Sequence, residues 1–100
     1  MNEQIDKWIN ATCEYFNIDR DTLLNPPDRD QDVMDARKVA MYLLYTHVGL
    51  RHKPIGKMFH RDRSTIAYHV MDATNHHICR MYVKDVEIIE ETKNQVELPI

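Results

Sequence analysis

The run Arg61-Asp62-Arg63-Ser64-Thr65 places two guanidinium groups, a carboxylate and two hydroxyls in five consecutive positions. Each is a group that reads the edge of a base pair. Arginine bonds guanine O6 and N7 together, a carboxylate accepts from cytosine N4, and serine and threonine reach bases or phosphates, with the threonine methyl packing on thymine. Asp62 has two further uses, capping a helix that starts behind it or bracing Arg61 or Arg63, and these structural roles outrank base reading. Upstream, Arg51, His52, Lys53 and Lys57 gather positive charge where phosphates could be clamped, with the amides of a helix start beside them. Tyr68 and His69, about one turn beyond Thr65, can touch phosphate or base, or simply pack.

Other chemistries fit these residues less well. Asp62, Ser64 and His69 are the residue types of a hydrolytic triad, but five positions along a helix turn Ser64 away from His69. Two glycines in 100 residues leave little from which to build an oxyanion loop. The expectation is therefore no enzyme and no catalytic residue. The six histidines do not pair with Cys13 or Cys79 at zinc-finger spacing, so neither a metal nor any other cofactor is expected. The two cysteines lie far apart and read as reduced, packed thiols.

Positioning such a cluster takes helices. Pro54 fits the first turn of a short helix, with Ile55 and Phe59 as inward anchors, and that helix should end near His60. A longer helix, residues 63 to about 80, follows from a cap at Asp62 or Ser64, with Ile66, Val70, Ala73 and His77 as its inner stripe. Short helix, tight turn and longer helix make a helix-turn-helix, whose second helix enters the major groove.

Upstream, Ile5, Trp8, Ile9, Thr12, Cys13 and Phe16 recur at helical spacing and predict a helix over 3–16. Asn17 offers a stop and Asp19 a new cap, followed by one turn from Arg20 to Leu24 with Leu23 and Leu24 inward. Residues 26–32 are polar and turn-rich, an exposed loop. A central helix over about 33–47 should bury Ala36, Val39, Ala40, Leu43, Leu44 and His47, with Gly49 as its left-handed stop. No segment alternates long enough to be a strand, and residues 82–93 read as a frayed helix within an acidic tail. The class is all-α, a compact multi-helix domain containing a helix-turn-helix.

One hundred residues suit one domain, 1–100, with its core over about 3–80 and an acidic C-terminal tail over 81–100. An apolar share of 43% with 29% charged residues fits a folded globular chain. No apolar run is long enough for a bilayer and no leader pattern opens the chain, so no membrane association and a cytoplasmic location are expected. The net charge of −3 hides a strong asymmetry. Residues 1–36 carry nine acids and three bases, residues 37–80 eight bases and two acids, and residues 81–100 two bases and five acids. A basic middle between acidic ends is the footprint of a polyanion-binding face.

The strings Ala36-Arg37-Lys38-Val39-Ala40-Met41-Tyr42-Leu43, Ile55-Gly56-Lys57-Met58-Phe59 and Arg61-Asp62-Arg63-Ser64-Thr65-Ile66, preceded by Glu14-Tyr15-Phe16-Asn17-Ile18 and Leu23-Leu24, resemble the C-terminal DNA-binding domain (domain IV) of bacterial DnaA replication initiators. The resemblance covers about residues 5–75. It implies an all-helical fold of the Trp-repressor superfamily, with bases read from the family's Arg-Asp-His-Thr-Thr segment. Here Arg63 stands in place of the histidine and Ser64 of the first threonine. The turn before Arg61 is one residue shorter than the family's Gly-Gly, and Asp35 replaces an arginine that enters the minor groove. No P-loop is present, so this chain is not by itself an initiator ATPase.

The expected function is sequence-specific binding of double-stranded DNA, as a replication or transcription regulator. Its contacts would come from Arg51, Lys53, Lys57, Arg61, Asp62, Arg63, Ser64, Thr65, Tyr68 and His69. Replication or regulatory proteins are further candidate partners. The rival expectation is an interaction module that keeps the fold and has lost DNA binding.

Overall fold

The computed structural model describes residues 3–25 and 30–97, with side chains as far as residue 93. The fold is all-helical, and no strand occurs among the described residues. Helix α1 spans Glu3–Phe16 and buries Trp8, Ile9 and Thr12 of the expected stripe together with Ala11, which the spacing did not mark, while Ile5, Cys13 and Phe16 pack half-buried against the same core. Asn17 ends it in the left-handed region, with φ 56°. Asp19 then caps α2, Arg20–Leu24, by accepting from the Thr22 N–H at 2.7 Å. Leu23 is fully buried and Leu24 packs against the core.

Helix α3 spans Gln31–Leu43, capped by Asp30, and so starts two residues before the expected position. Pro26–Arg29 of the expected loop lie outside the described residues. Ala36, Val39, Ala40, Leu43 and Leu44 are buried as the spacing required. His47 is not: its side chain is 37% exposed. The last turn, Leu44–Val48, is a π turn, and its wider winding rotates His47 off the inner stripe. There it stacks on Trp8, ring centroids 4.4 Å apart, and its Nε2 lies 2.6 Å from Glu87 Oε2. Gly49 supplies the left-handed stop with φ 82°.

Arg37 ties α3 to α2. It is only 8% exposed, and its guanidinium donates to the carbonyls of Leu23 and Thr22 at 2.9 Å and of Asn25 at 3.1 Å. These are the carbonyls that a helix end leaves without intrahelical partners. Arg37→Leu strands them, and we expect a loss of about 2 kcal/mol, read as a fall in thermal midpoint on the order of 10 °C.

Two short helices and one long one complete the chain: α4, His52–Phe59; α5, Arg63–Asn75; and α6, His77–Glu97. The helix expected to run from 63 to 80 is broken at His76, which sits in extended conformation (φ −88°, ψ 123°). Its N–H closes α5 on the Asp72 carbonyl at 2.8 Å, while its own carbonyl opens α6 by accepting from Arg80 at 3.0 Å. His77, expected on the inner stripe of α5, is exposed at the start of α6.

The break sends α6 back across α1, and residues 81–93 are therefore no frayed tail. Cys79, Val83, Val86 and Glu90 are buried, and Val83 and Val86 belong to the same cluster as Trp8, Ile9 and Leu43. The core runs past the expected limit at residue 80. Tyr15 donates to Asp85 at 2.6 Å and Lys93 pairs with Glu14, fastening the two helices along their length. Burial and the bond to Asp85 push the Tyr15 phenol up to about 12. The acidic composition of this segment concealed a buried stripe at 4-3-4 spacing.

Candidate nucleic-acid interface

Helices α4 and α5 form the helix-turn-helix that the spacing predicts. Ile55 and Phe59 are buried and fix α4 in the core, with Pro54 in its first turn. Ile66, Val70 and Ala73 do the same for α5. Burying each of the larger of these side chains contributes about 2 kcal/mol. Only His60, Arg61 and Asp62 separate the two helices. His60 takes the left-handed conformation with φ 58°, and the Arg61 N–H donates back to the Gly56 carbonyl at 2.9 Å. That bond spans six residues and closes the end of α4 as a Schellman cap.

Gly56 is what lets the turn fold so tightly. A Cβ there would lie 2.5 Å from the Arg61 carbonyl oxygen, closer than real contacts allow. His60 bears the opposite cost, since a residue with a Cβ is disfavoured in the left-handed region by about 1 kcal/mol. We expect His60→Gly to stabilise the fold by about 1 kcal/mol, raising the thermal midpoint by roughly 5 °C; a melting curve unmoved or shifted downward would contradict this.

Asp62 caps α5, accepting from the Thr65 N–H at 2.8 Å. These bonds from Thr65 hold its carboxyl below the ordinary aspartate range. The structural role given weight in the sequence is thus the one it occupies. Lys53, Lys57, His60, Arg61, Asp62 and Arg63 surround an open concavity of about 560 Å³ across the turn. Both arginines and both lysines are exposed, and none pairs with a carboxylate among the described residues. His60 was not among the expected site residues, although the single residue standing where the resembled family has Gly-Gly pointed at it.

The other expected residues fall around this centre. Ser64 and Tyr68 are exposed on the outer face of α5, and Thr65 is half-buried. Arg51 stands apart from the concavity, at the start of α4 beside Tyr45 and His52, whose rings stack at 5.1 Å. His69 does not share the outer face. It turns toward α3, where Met34, Arg37, Lys38, Met41 and Phe59 surround it. Burial lowers its pKa, and Lys38 reinforces the shift. The ring is therefore held neutral, poorly suited to a phosphate.

Lys38 Nζ meets Asp72 Oδ2 at 2.8 Å and pins α5 to α3. Each member favours the charged form of the other, raising the lysine and lowering the aspartate. Asp35 accepts from Gln31 at 3.0 Å and lines an acidic cleft with Asp32 and Asp72 at the far end of α5. No group of three or more metal-ligating side chains occurs among the described residues, and no helix there is long and apolar enough to cross a membrane.

The sequence that builds this geometry has relatives. Residues 5–72 match the family described as the bacterial dnaA protein helix-turn-helix. The chain is similar to the chromosomal replication initiator protein DnaA of Bacteroides fragilis (strain YCH46), 34% identical over 65 residues, covering 64% of this chain and 13% of that protein. It is also similar to the DnaA of Synechococcus sp. (strain JA-2-3B'a(2-13)), 38% identical over 64 residues, covering 63% of this chain and 14% of the relative. The match spans about a seventh of the length of those initiators. Because it runs from α1 through the turn to Asp72, taking in every residue that builds the concavity, this chain belongs to the bacterial DnaA helix-turn-helix family.

Proposed function

We propose that the chain binds double-stranded DNA, with α5 as recognition helix in the major groove, Arg61 and Arg63 at its start on base edges, and Arg51, Lys53 and Lys57 on the phosphates. The observation that carries this reading is the convergence of Lys53, Lys57, Arg61 and Arg63 on one face, all exposed and without carboxylate partners among the described residues. Four cations held together with only the Asp62 carboxylate among them repel one another, and a polyanion removes that repulsion while releasing its own counterions. Arg61 and Arg63 frame the start of α5, where a recognition helix meets base edges, and Ser64 and Thr65 follow at hydrogen-bonding reach. Arg51 extends the phosphate contacts to the other end of α4. Asp62 contributes by holding this helix start rigid, and Tyr68 by facing the groove. The role that goes with such binding is in DNA replication or its regulation, with the initiator's ATPase supplied elsewhere.

Fluorescence anisotropy with two duplexes, one containing a DnaA box and one scrambled, tests this across a salt series. Three phosphate contacts, from Arg51, Lys53 and Lys57, give a slope near −3 in log affinity against log salt, from about −0.9 per contact. A difference between the duplexes measures base reading. No salt-dependent binding to either would instead favour a protein-interaction module on this fold, a reading for which the acidic cleft at Asp32, Asp35 and Asp72 gives some structural basis.

A further inference from the structure

Apart from Arg63 at its start and Thr74, the exposed residues of α5 follow a single line: Ser64, Tyr68, Met71 and Asn75. None of them is charged. Tyr68 and Met71 keep 64% and 60% of their surface open, the highest values among the exposed large apolar side chains described. Asp72, the carboxylate next in sequence, is drawn aside to Lys38. A face meant for phosphates carries cations or N–H donors; the second and third turns of this one carry a phenol and a thioether.

We propose that Met71, with Tyr68 beside it, recognises the C5-methyl group of a pyrimidine in the major groove, so that the preferred site holds a methylated pyrimidine opposite the third turn of α5. The inference rests on the DNA-binding reading above and specifies its ligand. In the major groove the apolar group that a base pair presents is the C5-methyl of thymine, and 5-methylcytosine places the same group at the same position. Methionine is unbranched and flexible, able to close around a methyl whose approach is set by contacts elsewhere. The reach is adequate: seven residues from Ser64 to Met71 rise about 10 Å along the helix, within a groove about 12 Å wide. Arg61 and Arg63 at the helix start would set the register, and Met71 would read about three base pairs farther along, at roughly 3.4 Å per pair.

The test uses the full chain and a duplex selected by it from a random pool. Each thymine is replaced in turn by uracil, which removes the methyl alone, and affinity is followed by anisotropy. At one position the wild-type chain should lose about fourfold on losing the methyl, the worth of one buried methyl group. Met71→Ala should bring that step below about twofold, while its melting curve stays that of wild type because the side chain is exposed. Placing cytosine and 5-methylcytosine at the same position should reproduce the step, showing that the methyl is read whichever base bears it. A wild-type chain indifferent to uracil at every position overturns the inference, as does Met71→Ala keeping the full step, or 5-methylcytosine giving no gain over cytosine. In each of those cases the duplex still binds and the DNA reading stands. Failure of the wild-type chain to select any duplex takes down both.

Discussion

Reversal of Arg61 and Arg63 to glutamate should lower duplex affinity by on the order of a thousandfold on the proposed reading, in which two base contacts worth about 2 kcal/mol each would be lost together. The loss should exceed that figure at low salt, where two new negative charges also face the phosphates, and shrink as salt screens them. Both side chains are exposed and neither is in an ion pair among the described residues. The melting midpoint of the variant should therefore match wild type to within about 0.5 kcal/mol of stability. Anisotropy and a thermal melt on the same preparation check the two halves. A variant that binds within about tenfold of wild type at low salt removes these arginines from the interface.

Gly56→Ala is the most damaging single methyl predicted for this fold. The new Cβ would sit 2.5 Å from the Arg61 carbonyl oxygen, and that atom belongs to a turn held by the Schellman bond and by the Asp62 cap. Neither side can yield without giving up a hydrogen bond. A cost of about 3 kcal/mol follows, or a fall in midpoint of roughly 15 °C. Because the displaced atom carries Arg61 with it, duplex binding should also weaken at temperatures where the variant is still folded. Lys57→Ala, on the neighbouring exposed residue, serves as the contrast: weaker binding, with stability within about 0.5 kcal/mol of wild type. Equal melting of Gly56→Ala and wild type would show that the turn is looser than its geometry indicates.

The helix-turn-helix was legible because everything that makes it is local. Pro54, Ile55 and Phe59 mark α4, Asp62 marks the start of α5, and the basic residues sit within the same dozen positions. What escaped was set at long range. The π turn at Leu44–Val48 goes with contacts of His47 to Trp8 and Glu87, each about forty residues away in sequence. The break at His76 carries no glycine or proline to announce it, and it becomes intelligible only once Val83 and Val86 are seen packed in the same cluster as Ile9. Of the expected site, the residues around the turn are gathered together. His69 and Arg51 are the exceptions: helical position alone did not tell which side of α5 meets α3, and Arg51 stands apart at the start of α4.

The seam between α1 and α6 also bears on how the fold is acquired. Its polar fastenings join residues 70 and 79 positions apart, Tyr15 with Asp85 and Glu14 with Lys93, whereas the turn between α4 and α5 is closed by neighbours. Closing so long a loop costs chain entropy before any contact repays it, so the recognition motif can assemble early and the seam must dock late. The same order in reverse makes the seam the place where the native chain opens first, and amide hydrogens of α6 should exchange ahead of those at the heart of α3.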